Sequence, residues 1–292
     1  MKEADVLVDG PATTAASKID VGAGTRLAVW RWSGTKTPRF ILVHGLASNA
    51  RTWDGVASRL SAAGYSLVSL DLRGHGRSDR PQSGYDLVTM ASDVVSVIEA
   101  TGGGPVVLAG QSYGGNLALE VARARSELLS GLVLVDGGFI DLHTRYRGDW
   151  RACLRQLTPP SLAGLPASEV QESALLQYPG WPPAAIQAQL ANLEEDGSGG
   201  LRRRLALDHH LEILKSMFDQ RPVELGSDIQ LPVLVLAAQN PDQETGHVDA
   251  LVHALPNGRL RWMPGHHDLH VEHPAAVTDQ ILQAIVDGFL HS

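Results

Sequence analysis

Pro105-Val106-Val107-Leu108-Ala109-Gly110-Gln111-Ser112-Tyr113-Gly114-Gly115 decides the reading of the whole chain. The run Pro105 to Ala109 is short and apolar on both faces, as suits a parallel strand buried under helices. Ser112 to Ala124 reads as the helix that follows it. A strand therefore passes into a helix through Gly110-Gln111-Ser112-Tyr113-Gly114. So sharp a turn forces Ser112 into a strained backbone conformation, while Gly110 and Gly114 let strand and helix approach closely. Its hydroxyl then stands above the sheet, at the positive end of the helix. The plain alternative is a serine that caps an ordinary helix.

The same rhythm extends on both sides. Upstream, Ser17 to Trp32 is strand-like and broken by Gly22-Ala23-Gly24, which reads as a hairpin. Phe40-Ile41-Leu42-Val43 is a buried strand ending at His44-Gly45. Arg51 to Ala63 is helical and Ser66 to Leu70 a strand. Asp86 is placed to cap a helix carrying Leu87, Met90, Val94, Val97 and Ile98. Downstream, Gly131 to Val135 is a strand. Pro232 to Leu236 and Arg259 to Met263 are further strands, with helices over Val248 to Leu255 and Pro274 to Leu290. Alternating strands and helices imply crossover connections, hence an α/β fold with a mostly parallel central sheet between helical layers.

The alternation stops after Asp136. From Gly137 to Ser227 no buried strand is visible, and the stretch is too long for a plain loop. It is expected to be a helical insertion, with Leu201 to Phe218 as one helix. The domains are then a core of residues 1–136 and 228–292 and a helical cap of residues 137–227.

Composition bounds the rest. The 292 residues are 43% hydrophobic and carry a net charge of −8, which suits a globular core and argues against a polyanionic partner such as nucleic acid. Arg202-Arg203-Arg204 is expected on the solvated face of a helix. No stretch approaches the ~18 apolar residues of a membrane span. Met1 to Asp5 lacks the apolar run of a secretory leader. The single cysteine, Cys153, forms no internal disulfide, so a reducing, cytoplasmic setting is expected. Oligomeric state is not legible.

Further motifs surround the serine turn: His44-Gly45 after one strand, Asp71-x-Arg73-Gly74-His75-Gly76-x-Ser78 after the next, and histidines near the C-terminus. With Gly110-Gln111-Ser112-Tyr113-Gly114 they give the chain a resemblance to the α/β-hydrolase fold family over nearly its whole length. The resemblance implies a serine nucleophile, a histidine base after the last strand and an orienting acid between them in chain order. Ser112 is the nucleophile. The base lies in Gly265-His266-His267-Asp268-Leu269-His270-Val271-Glu272-His273-Pro274. Counting back from Glu272 and from Pro274 selects His267, with His266 as the alternative. His270 and His273 are expected to face solvent or the cap, and a metal site made from these histidines is the lesser reading. For the acid, Asp136 at the end of a buried strand is favoured over Asp242, which follows Asn240-Pro241 where the family commonly has its aspartate.

The resemblance also implies an oxyanion hole from the backbone N–H groups of Leu46 and Tyr113. It gives His44 a bracing role, and Asp71, Arg73, His75 and Ser78 the task of holding a loop. Trp150, Trp181, Tyr146, Tyr178 and Met217 are candidates for an apolar chamber under the cap. Trp53 either walls the pocket or packs a helix, and packing is favoured. Serine chemistry points to a carbonyl substrate: an ester, lactone or thioester, small and partly apolar, cleaved without a cofactor. A carbon–carbon bond hydrolase or a cofactor-free perhydrolase is the alternative on the same residues. A non-catalytic ligand receptor on this scaffold is the alternative of another class.

Overall fold

The computed structural model describes residues 16–178, 180–197, 199–239 and 245–291. An eight-stranded sheet runs through the molecule. Its strands are β1 (Ser17–Asp20), β2 (Arg26–Trp32), β3 (Lys36–Val43), β4 (Tyr65–Leu70), β5 (Val106–Gln111), β6 (Leu129–Val135), β7 (Val233–Gln239) and β8 (Gly258–Pro264). Their spatial order is β1-β2-β4-β3-β5-β6-β7-β8. β1 and β2 form the expected hairpin and β2 pairs antiparallel with β4. From β4 to β8 every neighbouring pair is parallel.

The central strands are apolar throughout because both faces are covered, and their period of two divides them between two cores. Ile41, Val43, Val106, Leu108, Leu132 and Leu134 point to one side. Phe40, Leu42, Val107, Ala109, Val133 and Val135 point to the other. Helices α1 (Asp54–Ala62) and α2 (Leu87–Ala100) lie on opposite faces. Helix α3 (Tyr113–Arg125) joins α2 in the first layer, and the C-terminal helix Pro274–Val286 packs against α1 in the second. Asp86 caps α2 as its position predicts, its carboxylate accepting the Thr89 N–H at 2.9 Å.

The segment after Asp136 is helical, with helices at Trp150–Leu157, Ala167–Gln177, Pro183–Leu190 and Leu207–Asp219 among its parts. One expectation fails there. Leu201–Arg203 is a strand, paired antiparallel with Leu193–Glu195, and the helix begins only at Leu207. Arg202-Arg203-Arg204 thus lies at a hairpin, not along a helix. Glu194 explains it: its carboxylate lies 3.0 Å from Arg202 and 3.1 Å from Arg204, and Arg80 joins it from the core at 2.6 Å. Opposite charges facing across a hairpin outweigh a weak helical pattern. No helix among the described residues is long and apolar enough to cross a membrane.

Candidate active site

Ser112 follows β5 and heads α3 with φ 52° and ψ −122°, well outside the ordinary right-handed region. Its hydroxyl makes no capping bond to the helix, so the plain reading as an N-cap does not hold. The strain persists because the backbone around it is packed to contact. A Cβ at Gly110 would sit 2.2 Å from the Gly114 carbonyl oxygen, and one at Gly114 would sit 2.5 Å from the Val43 carbonyl oxygen. Only a hydrogen fits at these crossings, which gives the two glycines of the turn their reason.

The hydroxyl of Ser112 lies 2.8 Å from Nε2 of His267, and Nδ1 of the same ring lies 2.7 Å from Oδ2 of Asp136. The carboxylate only accepts, so Nδ1–H donates to it and Nε2 is left to accept the serine proton. Asp136 directly follows β6, at φ 42°, and its Oδ1 accepts the Ala238 N–H at 2.8 Å. Its side chain is 4% exposed. Three side chains from the ends of β5, β6 and β8 meet at the carboxyl edge of the sheet, where open α/β sheets place their sites. Asp242 lies outside the described residues.

His266 is turned away, its ring exposed. Glu272 folds back and accepts the His266 backbone N–H at 2.9 Å, and this clamp orients the turn so that the next residue faces Ser112. Gln111, buried beside the serine, donates to the His267 carbonyl at 3.1 Å and tethers the same turn from the other side. His270 is not at the surface as expected. It is 1% exposed, its ring 4.6 Å from that of Trp53 and its Nε2 3.3 Å from the Thr52 hydroxyl. Burial, with the nearby His267 acting in the same direction, pushes its pKa down to about 3, so it stays neutral. The alternation of polar and apolar residues hid it, because a histidine is rarely assigned to a core on sequence alone.

Burial lowers the pKa of His267, but the hydrogen bond and charge of Asp136 outweigh it, helped by Asp268 and Glu272, and the net shift is upward from 6.5. Protein surrounds the ring on most sides, yet its side chain is 52% exposed because it forms part of a cavity floor.

The loops flanking the serine are braced as the motifs suggest. His44 is fully buried and neutral; burial and the neighbouring His75 hold its pKa well below the ordinary value, and its Nε2 accepts the Leu72 N–H at 3.1 Å. Asp71 accepts the Ala50 and Arg77 N–H groups at 2.8 and 2.7 Å. His75 accepts the Ala47 N–H at 3.2 Å, and Ser78 donates to the Asp71 carbonyl at 2.6 Å. Arg73 and Asp93 form a buried two-point ion pair, both bonds 2.6 Å. Among the described residues the backbone N–H groups of Leu46 and Tyr113 have no protein acceptor. Both residues border the cavity above Ser112.

That cavity holds about 860 Å³. Ser112, His267 and Asp136 lie at its base. Phe139, Ile140, Leu142, Leu157, Leu214 and Met217, all from the segment after Asp136, give it an apolar wall. Of the aromatic residues expected here, Tyr146 borders the cavity, and Tyr178, Trp150 and Trp181 do not. Trp53 is fully buried in the core beneath the sheet, its favoured reading. Trp150 packs edge-on against Phe218 at 5.2 Å, and Trp181 stacks on Tyr178 at 4.2 Å. Arg145, Gln156, His210 and His247 also border the cavity and were not singled out by the sequence. Arg145 and Gln156 sit in a stretch whose elements the sequence did not define, whereas His210 and His247 lie in helices whose starts it misplaced.

Comparison with known proteins agrees with this fold. Over 104 residues the chain is 35% identical to Rv2715, an uncharacterized protein of Mycobacterium tuberculosis, and the match spans 29% of that relative's length. Over 259 residues, 88% of this chain and 92% of the relative, it is 27% identical to the putative carbamate hydrolase RutD of Azorhizobium caulinodans. A thermophilic esterase from Thermogutta terrifontis superposes with a TM-score of 0.72 at 21% identity, covering 96% of this chain and 100% of the esterase. The model of the alpha/beta hydrolase family matches residues 40–280, far beyond the serine turn and over most of the chain, and the protein is therefore a member of that family.

Proposed function

We propose that the protein is a serine hydrolase that cleaves an ester, lactone or thioester through an acyl-enzyme. The observation that carries this reading is the unbroken relay from the Ser112 hydroxyl through His267 to Asp136, at 2.8 and 2.7 Å. Serine alone is a poor nucleophile at neutral pH; a neutral imidazole within hydrogen-bond reach removes its proton as the oxygen attacks. Asp136 fixes the tautomer and stabilises the imidazolium that forms. The negative charge developing on the carbonyl oxygen is taken up by the N–H groups of Leu46 and Tyr113; one such donor is worth about 3–4 kcal/mol in comparable enzymes. The imidazolium protonates the leaving group. His267 then activates water, which releases the acyl group and restores Ser112.

Residues 137–227 act as a cap in this reading. Their apolar wall favours a partly apolar small molecule and shields the reacting carbonyl from bulk water. The likeness to an esterase and to a putative carbamate hydrolase supports attack on a carbonyl carbon.

The test is hydrolysis of p-nitrophenyl acetate and butyrate by the protein and by Ser112→Ala. The reading expects turnover that the substitution abolishes. Equal turnover in both would refute Ser112 as nucleophile. No turnover across a broad acyl panel, with tight ligand binding retained, would favour a receptor instead.

A further inference from the structure

The cavity above Ser112 has an apolar wall but one fixed positive charge. Arg145 is the only guanidinium bordering it among the described residues, and it has no carboxylate partner there. Its guanidinium carbon lies 5.8 Å from the centre of the Tyr146 ring, and its charge also reaches the buried Cys153 thiol. Some other arginines are paired with carboxylates, Arg73 with Asp93, Arg80 with Glu194 and Arg125 with Glu99 and Glu127, while Arg39, Arg203 and Arg221 are satisfied by backbone carbonyls.

The carboxylates that share the cavity are already engaged. Asp136 accepts from His267 and Ala238. Asp141, one turn before Arg145, accepts the Thr144 N–H and hydroxyl, both at 2.8 Å. The imidazoles on the wall are those of His210, His247 and His267. His210 is kept largely neutral by burial, with the charge of Arg203 acting in the same direction. A second anion on a substrate therefore finds a guanidinium with five N–H donors and no competing protein anion within ion-pair distance of it.

We propose that Arg145 is a specificity-determining residue that binds a free carboxylate on the substrate, remote from the carbonyl Ser112 attacks. The substrate class is then a monoester, or a related half-acyl derivative, of an aliphatic dicarboxylic acid: the chain lies along the apolar wall and the free acid meets Arg145. This rests on the serine-hydrolase reading above. Arg145 is exposed at the cavity rim, so it acts on binding, through KM, and its effect weakens as salt screens the charge.

The experiment compares monoethyl esters of dicarboxylic acids, from succinate to sebacate, with neutral ethyl esters of the same acyl carbon number, followed by pH-stat. p-Nitrophenyl butyrate with the Ser112→Ala control reports on the underlying reading. At the best-fitting length the wild type is expected to prefer the monoester in kcat/KM. Arg145→Met is expected to lower that preference about tenfold, mostly through KM for the monoester, as loss of a charge-assisted hydrogen bond implies. Arg145→Lys should restore part of it, and added salt should erode it in the wild type. Arg145 is exposed, so these variants are expected to fold.

If p-nitrophenyl butyrate is cleaved in a Ser112-dependent way but the preference is absent, or is the same in Arg145→Met, the carboxylate proposal is overturned and the hydrolase reading stands. Cleavage of p-nitrophenyl butyrate with neither ethyl series cleaved overturns it as well. Turnover of p-nitrophenyl butyrate that survives Ser112→Ala overturns the reading beneath both.

Discussion

His267 is held by two partners with different demands. Asp136 must accept from Nδ1 for Nε2 to remain an acceptor toward Ser112. Because the pKa of His267 is raised above 6.5, the imidazole is cationic, and useless as a base, at low pH. Activity is therefore expected to rise with pH along a limb whose midpoint in kcat/KM lies above 6.5. Asp136→Asn makes a sharper prediction. Oδ1 already accepts the Ala238 N–H, so the amide keeps its oxygen there and turns its NH₂ toward His267. The ring must then carry its proton on Nε2, where it no longer accepts from serine. A loss of about 10³–10⁴-fold in kcat is expected, as for the same change in a serine protease. Near-full activity in this variant would remove Asp136 from the mechanism. Ser112 was legible because its motif sits between two periodic elements. The position of His267 was legible from the spacing to Glu272, and the clamp from Glu272 to the His266 N–H gives that spacing its physical sense. Arg145 was not legible: facing depends on tertiary placement that a four-residue helix, Leu142–Arg145, does not announce.

At the scale of elements, the serine turn stands only because the neighbouring loop after Asp136 carries glycine. A Cβ at Gly137, the residue after Asp136, would lie 2.2 Å from the carbonyl oxygen of Ser112 and 2.5 Å from its nitrogen. Both are backbone atoms and cannot swing aside. Gly137→Ala is expected to destabilise the protein by about 1–3 kcal/mol or more, as overpacking does. It should also displace Ser112 from His267, so that the melting temperature and turnover fall together. A variant with wild-type melting temperature and turnover would contradict the crowding described here. Strands were read well from sequence because burial on both faces makes them continuous apolar runs. The hairpin at Leu193–Glu195 and Leu201–Arg203 was missed because three-residue strands show no period, and because its pairing rests on charge at Glu194 and Arg202.

At the scale of the whole molecule, the site exists only when the sheet is complete. Ser112, Asp136 and His267 come from far apart in the chain and meet because parallel strands deliver their carboxyl ends to one edge. That architecture was legible in the alternation of strand and helix patterns. The arrangement of the segment after Asp136 over that edge was not, since its apolar side chains serve a local core and a cavity wall alike. The claim everything else depends on is that this assembly makes one hydroxyl reactive. It is tested most directly by the rate at which a fluorophosphonate labels the protein at pH 8, with the site read by peptide mass spectrometry. The protein is expected to take one label, on Ser112, and His267→Ala to take it about 10³-fold more slowly or worse. Equal rates in the two proteins, or a label that settles elsewhere, would contradict the account.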